Sequence, residues 1–176
     1  MIKIISRKER EILKLNAGNV DSFEIQYQKI KRNLERLCIE TKASAVLLID
    51  KAGQLITSAG DTSMLDIPSF ATLSAADFAA TSNLADLIGE NDFRTLFHQG
   101  KEKSIYVSLV ADQVILAIIF PKESTLGLVR IKVNKASTEL ETLFENIFAA
   151  LESEYAGTVD QEFIDEAESE LDSLFE

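Results

Sequence analysis

The sequence predicts a mixed α/β domain whose elements run helix, strand, strand, helix, strand, strand, strand, helix. Three observations predict it. Apolar residues recur at spacings of three and four in the long first, middle and last stretches, as amphipathic helices require. Between those stretches lie short apolar runs with β-branched residues, which read as strands. The gaps inside each group of strands have hairpin length, so neighbouring strands are expected to be antiparallel.

Residues 1–20 carry charges and "NAGN" but no sustained apolar stripe, and read as an N-terminal extension. Asp21 or Ser22 is placed to cap the first helix, because its side-chain oxygen accepts a backbone N–H of the first turn. Phe23, Tyr27, Ile30, Leu34 and Leu37 then form one stripe. "ASAVLLID" and "QLITSAG" flank a glycine-bearing turn and read as a hairpin. Pro68 suits a helix start. The middle helix runs to Ile88, and Gly89 suits the left-handed position that ends a helix. "FRTLFHQ", "KSIYVSLV" and "QVILAIIF" are three successive strands, and the last is apolar enough to lie centrally in the sheet. "LGLVRIKV" passes as a strand by alternation and as a helix by continuity, and composition leaves both open. Leu140, Leu143, Phe144, Ile147 and Leu151 are plainly helical. "SEYAGTVD" interrupts that pattern. The reading is a domain over 21–152 and an acidic amphipathic tail over 153–176.

Composition excludes several functional classes. The chain has 176 residues, 46% hydrophobic, with net charge −11. No apolar run approaches the ~18 residues of a membrane span, and the N-terminus lacks the apolar core of a signal peptide. The single cysteine, Cys38, cannot form an internal disulfide, so a cytoplasmic location is expected. Ten acidic and no basic residues lie between Glu152 and Glu176. Only "KIKRNLER" is locally basic, and its charges interleave with helix-spaced apolar residues, as on a solvated helix face. No nucleic-acid partner is expected.

Catalytic and cofactor devices are also missing from the pattern. The sole histidine, His98, sits in a strand, and Cys38 beside Leu37 and Ile39 reads as a small buried thiol. One His and one Cys do not make a zinc site, so no metal is expected. Neither phosphate-cradling glycine motif occurs, and no cofactor is expected. No two carboxylates fall together in an apolar setting that would suit acid–base work. A chain without its own active site acts through its surfaces.

The middle helix, "TLSAADFAATSNLADLIG", is where a surface is written. At 100° per residue, Ile67, Phe70, Ala71, Ser74, Phe78, Thr81, Ala85 and Ile88 form a face that can lie on the sheet. Leu73, Ala76, Ala80, Leu84 and Leu87 form a second apolar stripe. Ala75, Ala79, Ser82 and Asp86 fall between the apolar faces and solvent. The helix has more apolar circumference than one sheet needs. Two readings stand. The small side chains let a partner backbone approach closely, or alanine is present as a good helix former in a tightly buried helix.

The segments "ASAVLLIDKAGQLITSAG", "LSAADFAATSNLADLIGE", "FRTLFHQGKEKSIYVSLV" and "LGLVRIKV", in that order, resemble the roadblock / dynein light chain family, in its bacterial gliding-protein (MglB) type. The resemblance covers residues 22–150. It implies a roadblock-like, profilin-like α/β sandwich with a five-stranded antiparallel sheet, its last strand beside its first, and "LGLVRIKV" opening the last helix. It implies a homodimer that docks a small Ras-like, MglA-like GTPase and speeds its GTP hydrolysis in control of cell polarity, with location at cell poles. Its contact helix corresponds to "SAADFAAT", so Ala75, Ala79, Ser82 and Asn83 are the expected GTPase contacts. Leu73, Ala76, Ala80, Leu84 and Leu87 are the expected dimer or second-face residues. Ala76 and Asp77 stand where such relatives often have Gly and Asn. Phe163, Ile164, Ala167, Leu171 and Leu174 form a tail stripe, expected either to dock on a partner or to belong to a solubilising tail. The competing functions are a non-activating adaptor of the same fold and a PAS- or GAF-like small-molecule sensor.

Overall fold

Alternation decides how this chain is layered. In a computed structural model, which describes residues 7–90 and 93–158 and side chains within 24–149, the elements are α1 (Arg7–Thr41), β1 (Ala45–Asp50), β2 (Leu55–Gly60), α2 (Ile67–Ile88), β3 (Thr95–Gln99), β4 (Lys103–Val110), β5 (Val114–Pro121) and α3 (Leu126–Thr158). The five strands form one antiparallel sheet in the order β2-β1-β5-β4-β3. β5 lies at the centre, as its apolar run requires. β1 pairs along it from Ala45↔Ile119 to Asp50↔Val114. Both strands are buried on both faces, so each face needs its own cover.

One face takes α2. Ala45, Leu47 and Ile49 of β1, Val107 and Leu109 of β4, and Ile115 and Ala117 of β5 pack with Ala71, Ala75 and Phe78 of α2. The other face takes α1 and the first part of α3. Ile30, Leu34 and Leu37 on α1 and Val129, Val133, Ala136 and Leu140 on α3 are all buried stripes at helical spacing. Tyr27 donates its hydroxyl to Thr57 Oγ1 of β2 at 3.2 Å, and Ser124 Oγ donates to the Thr41 carbonyl at 2.6 Å. Lys132 pairs with Glu40 at 3.3 Å across the two helices.

The chain divides into two units, Met1–Leu143 and Phe144–Glu176. The first holds the sheet, α1, α2 and the start of α3. In the second, the Phe144 and Phe148 rings stack 5.9 Å apart on the later turns of α3.

Two expectations change, and one reading that composition left open is settled. α1 starts at Arg7, so Asp21 and Ser22 lie inside a helix and do not cap one; residues 7–20 contain no Pro, and the single Gly18 of "NAGN" costs only about 1 kcal/mol in a helix. "LGLVRIKV" is helical, as the resemblance implies, with Val129 and Val133 buried at a spacing of four. α3 also continues through "SEYAG" to Thr158, since a single Gly157 costs only about 1 kcal/mol in a helix otherwise made of tolerant residues. The tail stripe of Phe163, Ile164, Ala167, Leu171 and Leu174 lies outside the described residues.

α2 is fixed at three places. Asp66 caps its start, accepting from the Ser69 N–H at 3.3 Å and the Ser69 hydroxyl at 2.6 Å, with Pro68 in the first turn. Those two bonds hold the Asp66 carboxyl below its ordinary value. Its stabilising contribution is therefore present at neutral pH and disappears as the pH falls through that lowered value. Gly89, at φ 76°, closes the other end through N–H bonds to Asp86 and, from Glu90, to Ala85. Between these ends, the turn joining β1 to β2 presses on the helix. Gly53 has φ 83°, and a Cβ there would lie 2.8 Å from Thr72 Cα. Gly53→Ala combines a left-handed alanine with a backbone clash and is expected to lower unfolding free energy by about 2 kcal/mol. Gly89→Ala meets no atom within 4 Å and is expected to lower it by about 1 kcal/mol. Urea unfolding of the two variants checks the difference.

Candidate functional site

A helix that covers a sheet with one side has other sides to present. On α2 the covering side is Ala71, Ala75, Phe78 and Ala85. Ile67, Phe70, Ser74 and Thr81 border it and are half-buried, but Ile88 is 68% exposed, because the helix has run past the sheet by its last turn. The second stripe is bare. Leu73, Leu84 and Leu87 are 67%, 57% and 80% exposed, and Ala76 and Ala80 between them are exposed too. Water covering three leucines on one stripe is unfavourable, since each fully buried leucine gains roughly 1.5–3 kcal/mol. An exposed apolar stripe of this kind is a candidate contact surface.

The residues expected to meet a partner fall into two groups. Ala79 and Asn83 are exposed. Ser82 is half-buried and donates its hydroxyl to the Phe78 carbonyl at 3.2 Å, one turn back. Ala75 is a correction to the outward position expected for it. It is 9% exposed and packs in the core cluster, because the approach of α2 to β1 and β4 swings the sheet-facing side wider than the helical wheel drawn from Phe70 and Phe78 allows.

Three of the four still meet. Ala75, Ala79 and Ser82 line one hollow of about 550 Å³ whose floor is Phe78, Leu109 and Ile115 and whose rim carries Lys51 and Asp112. Asn83 is not part of it. Lys51 comes from the β1–β2 turn. Asp112 comes from the β4–β5 turn, where Ala111 and Asp112 both take left-handed backbone at φ 49° and 53° and Gln113 N–H bonds the Val110 carbonyl at 3.2 Å. Two consecutive positive φ values give the turn that matches strand twist, at a conformational cost for non-glycine residues. Arg94 holds the Asp112 carboxylate at 3.1 Å and approaches Glu141 at 3.9 Å. The rim therefore carries Lys51 on one side and the Arg94-paired Asp112 on the other, about an apolar floor screened by Ala75, Ala79 and Ser82. Spacing along the sequence does not single out Lys51 or Asp112. The available signal is "AD" as the whole span between two strands, which forces a tight turn at the sheet end where α2 also lies.

His98 is on β3, the edge strand, with its Nε2 2.7 Å from Asp77 Oδ2 of α2. It is a half-exposed tie between the edge and the helix. Cys38 is half-buried; its thiol donates to the Ala43 carbonyl at 3.2 Å, and burial pushes its pKa up, so it is not a poised nucleophile. Among the described residues no three His, Cys, Asp or Glu side chains gather as a metal site, and no helix is long and apolar enough to cross a membrane.

Burial separates the two alanines experimentally. Ala79→Arg is expected to change stability by no more than about 0.5 kcal/mol, as exposed substitutions do. Ala75→Arg, which forces a long charged chain into the core, is expected to destabilise by about 3 kcal/mol. Thermal and urea unfolding of both variants checks this.

Comparison with known proteins agrees with this geometry. The family model described as the Roadblock/LC7 domain matches residues 29–120. Myxococcus xanthus MglB superimposes with a TM-score of 0.67 at 45% sequence identity, over 68% of this chain and 90% of that one. The gliding protein MglB from Thermus thermophilus gives 0.65 at 31% identity, over 69% and 92%. A structure of MglB with a tetrameric arrangement gives 0.65 at 30% identity, over 69% and 91%. Each similarity spans nearly the whole of the other protein, and on these grounds the chain belongs to the Roadblock/LC7 domain family and has its five-stranded sandwich fold.

Proposed function

We propose that this chain is a homodimeric regulator that docks a small Ras-like GTPase on α2 and speeds its GTP hydrolysis, with cell polarity or motility as the process controlled. The observation that carries the reading is the alanine-screened hollow at Ala75, Ala79 and Ser82 beside the bare Leu73–Leu84–Leu87 stripe. The likeness to MglB structures supports it. The two surfaces divide the work. The leucine stripe, with Ala76 and Ala80, pairs two copies, and the edge strand β3 beside it adds unpaired backbone groups to that seam. The hollow and Ala79, with Asn83 next to it, receive the GTPase.

Phosphoryl transfer needs positioning and charge stabilisation more than covalent help. A regulator supplies these either by inserting an arginine or by reshaping the GTPase's own residues. Arg94 is held by Asp112 and lies near Glu141. Arg130 is exposed on α3, on the opposite face of the sheet from α2. Neither is presented on a loop free to reach a nucleotide. The mechanism proposed is repositioning of the GTPase's catalytic groups on docking, with no catalytic residue from this chain.

The test is single-turnover GTP hydrolysis by a Ras-like GTPase of the same organism. The chain is expected to accelerate it, Ala79→Arg to return the rate to that of the GTPase alone, and Arg94→Ala and Arg130→Ala to leave acceleration in place. Binding without acceleration identifies an adaptor. Loss of acceleration with binding kept, in either arginine variant, overturns the mechanism. For the seam, Leu84→Glu is expected to weaken self-association at least about tenfold, the equivalent of 1.4 kcal/mol, measured by light scattering across a dilution series.

A further inference from the structure

The face of the sheet opposite α2 carries a second concave surface. Between α1 and α3 runs a groove of about 570 Å³, lined by Lys29, Arg32, Asn33 and Arg36 from α1 and by Glu139 and Leu143 from α3. The three cations recur at spacings of three and four and so share one side of α1. Glu139 is already engaged twice, by Asn33 Nδ2 at 2.9 Å and by Arg36 in an ion pair. Among the described residues no carboxylate pairs with Lys29 or Arg32, so three cations against one acid leave the groove at about +2.

Beneath the groove lies a polar atom without a partner among the described residues. Asn33 is 4% exposed, and its Oδ1 accepts no hydrogen bond among the described residues. A buried amide oxygen left this way is unfavourable and calls for an N–H or O–H donor. An inorganic anion would answer Lys29 and Arg32 but leaves Leu143 and the alkyl stems of the cations uncovered. A peptide with acidic side chains answers the cations with carboxylates, and its apolar side chains would lie on Leu143 and on those stems.

We infer that the α1–α3 groove is a docking site for an acidic peptide and that its occupant is residues 159–176 of a second copy of this chain. Eight of the ten acids between Glu152 and Glu176 fall in that segment (all but Glu152 and Glu154), with no base among them. Phe163, Ile164, Ala167, Leu171 and Leu174 supply apolar groups between the acids. The segment therefore complements the groove in charge and in its mixture of carboxylates and apolar side chains. The site does not rest on the GTPase reading. It lies on the other side of the sheet, so occupying it leaves the α2 hollow open.

Photo-crosslinking of the full chain tests this. p-Benzoylphenylalanine replaces Phe163, and equal amounts of nitrogen-15-labelled and unlabelled chain are mixed before irradiation. The expected products are mixed-isotope crosslinks to the proteolytic fragments that contain Asn33 or Leu143. The double variant Lys29→Glu with Arg32→Glu is expected to reduce them severalfold at unchanged circular dichroism. Reversing tail charges in that background, with Glu162→Lys, Asp165→Lys and Glu166→Lys, is expected to restore them, which a misfolded groove would not permit. Crosslinks confined to one isotope, crosslinks to α2, or a yield indifferent to both charge reversals would each overturn the assignment.

Discussion

The pairing of β1 with β5 is the constraint from which the rest of this structure follows. Two strands with almost no polar side chains lie side by side at the middle of one sheet. Their backbones satisfy each other, but neither of their faces tolerates water. A layer of helix is needed on each side. α1 and α3 cover one face together, and α2 has to cover the other alone. That unequal division explains why α2 is so closely held. It is capped at both ends and pressed at Thr72 by a turn that only glycine fits.

Covering a sheet with one helix leaves most of that helix's circumference outside. The side chains there decide what the molecule meets. Bulky charged residues would have made α2 an ordinary solvated surface. Alanines at 76, 79 and 80 and leucines at 73, 84 and 87 instead keep the outer sides low and apolar. The hollow beside Ala79 exists because the neighbouring side chain at 75 is a methyl group as well. The ends of β4 and β5 bring Leu109 and Ile115 beneath it. The hollow is the joint product of small residues on one helix and two hairpin turns at one end of the sheet.

Much of the layering is legible in the sequence. The run "QVILAIIF" announces a central strand, and Pro68 and Gly89 mark the ends of α2 by backbone chemistry that tertiary context does not override. The N-terminal reach of α1 is not legible, because its first turns lack the apolar stripe by which a helix is recognised and "NAGN" reads as a turn, although a lone glycine only weakens a helix. Ala75 falls on the wrong side of the wheel for a related reason. A helical wheel gives relative directions, and the width of the buried sector depends on how near the sheet stands, which small residues on both partners reduce. Lys51 and Asp112 reach the hollow from turns about sixty residues apart, and no spacing within a single element reports such a meeting. Asn33 is hidden similarly: amid four charged neighbours it reads as one more solvated position, and only the approach of α3 buries it.

The fixed ends of α2 have a kinetic meaning. A surface that must fold as it binds loses backbone and side-chain freedom at that moment, and its affinity is lowered by that amount. α2 has little backbone ordering left to do. Its ends are capped by Asp66 and Gly89, its middle is pressed by Gly53, and its outward alanines have no rotamers to freeze. Under the proposed function, a partner docking on α2 meets a finished backbone. Encounter would then be governed by diffusion and orientation, and differences among partners would be expressed in how long each stays bound.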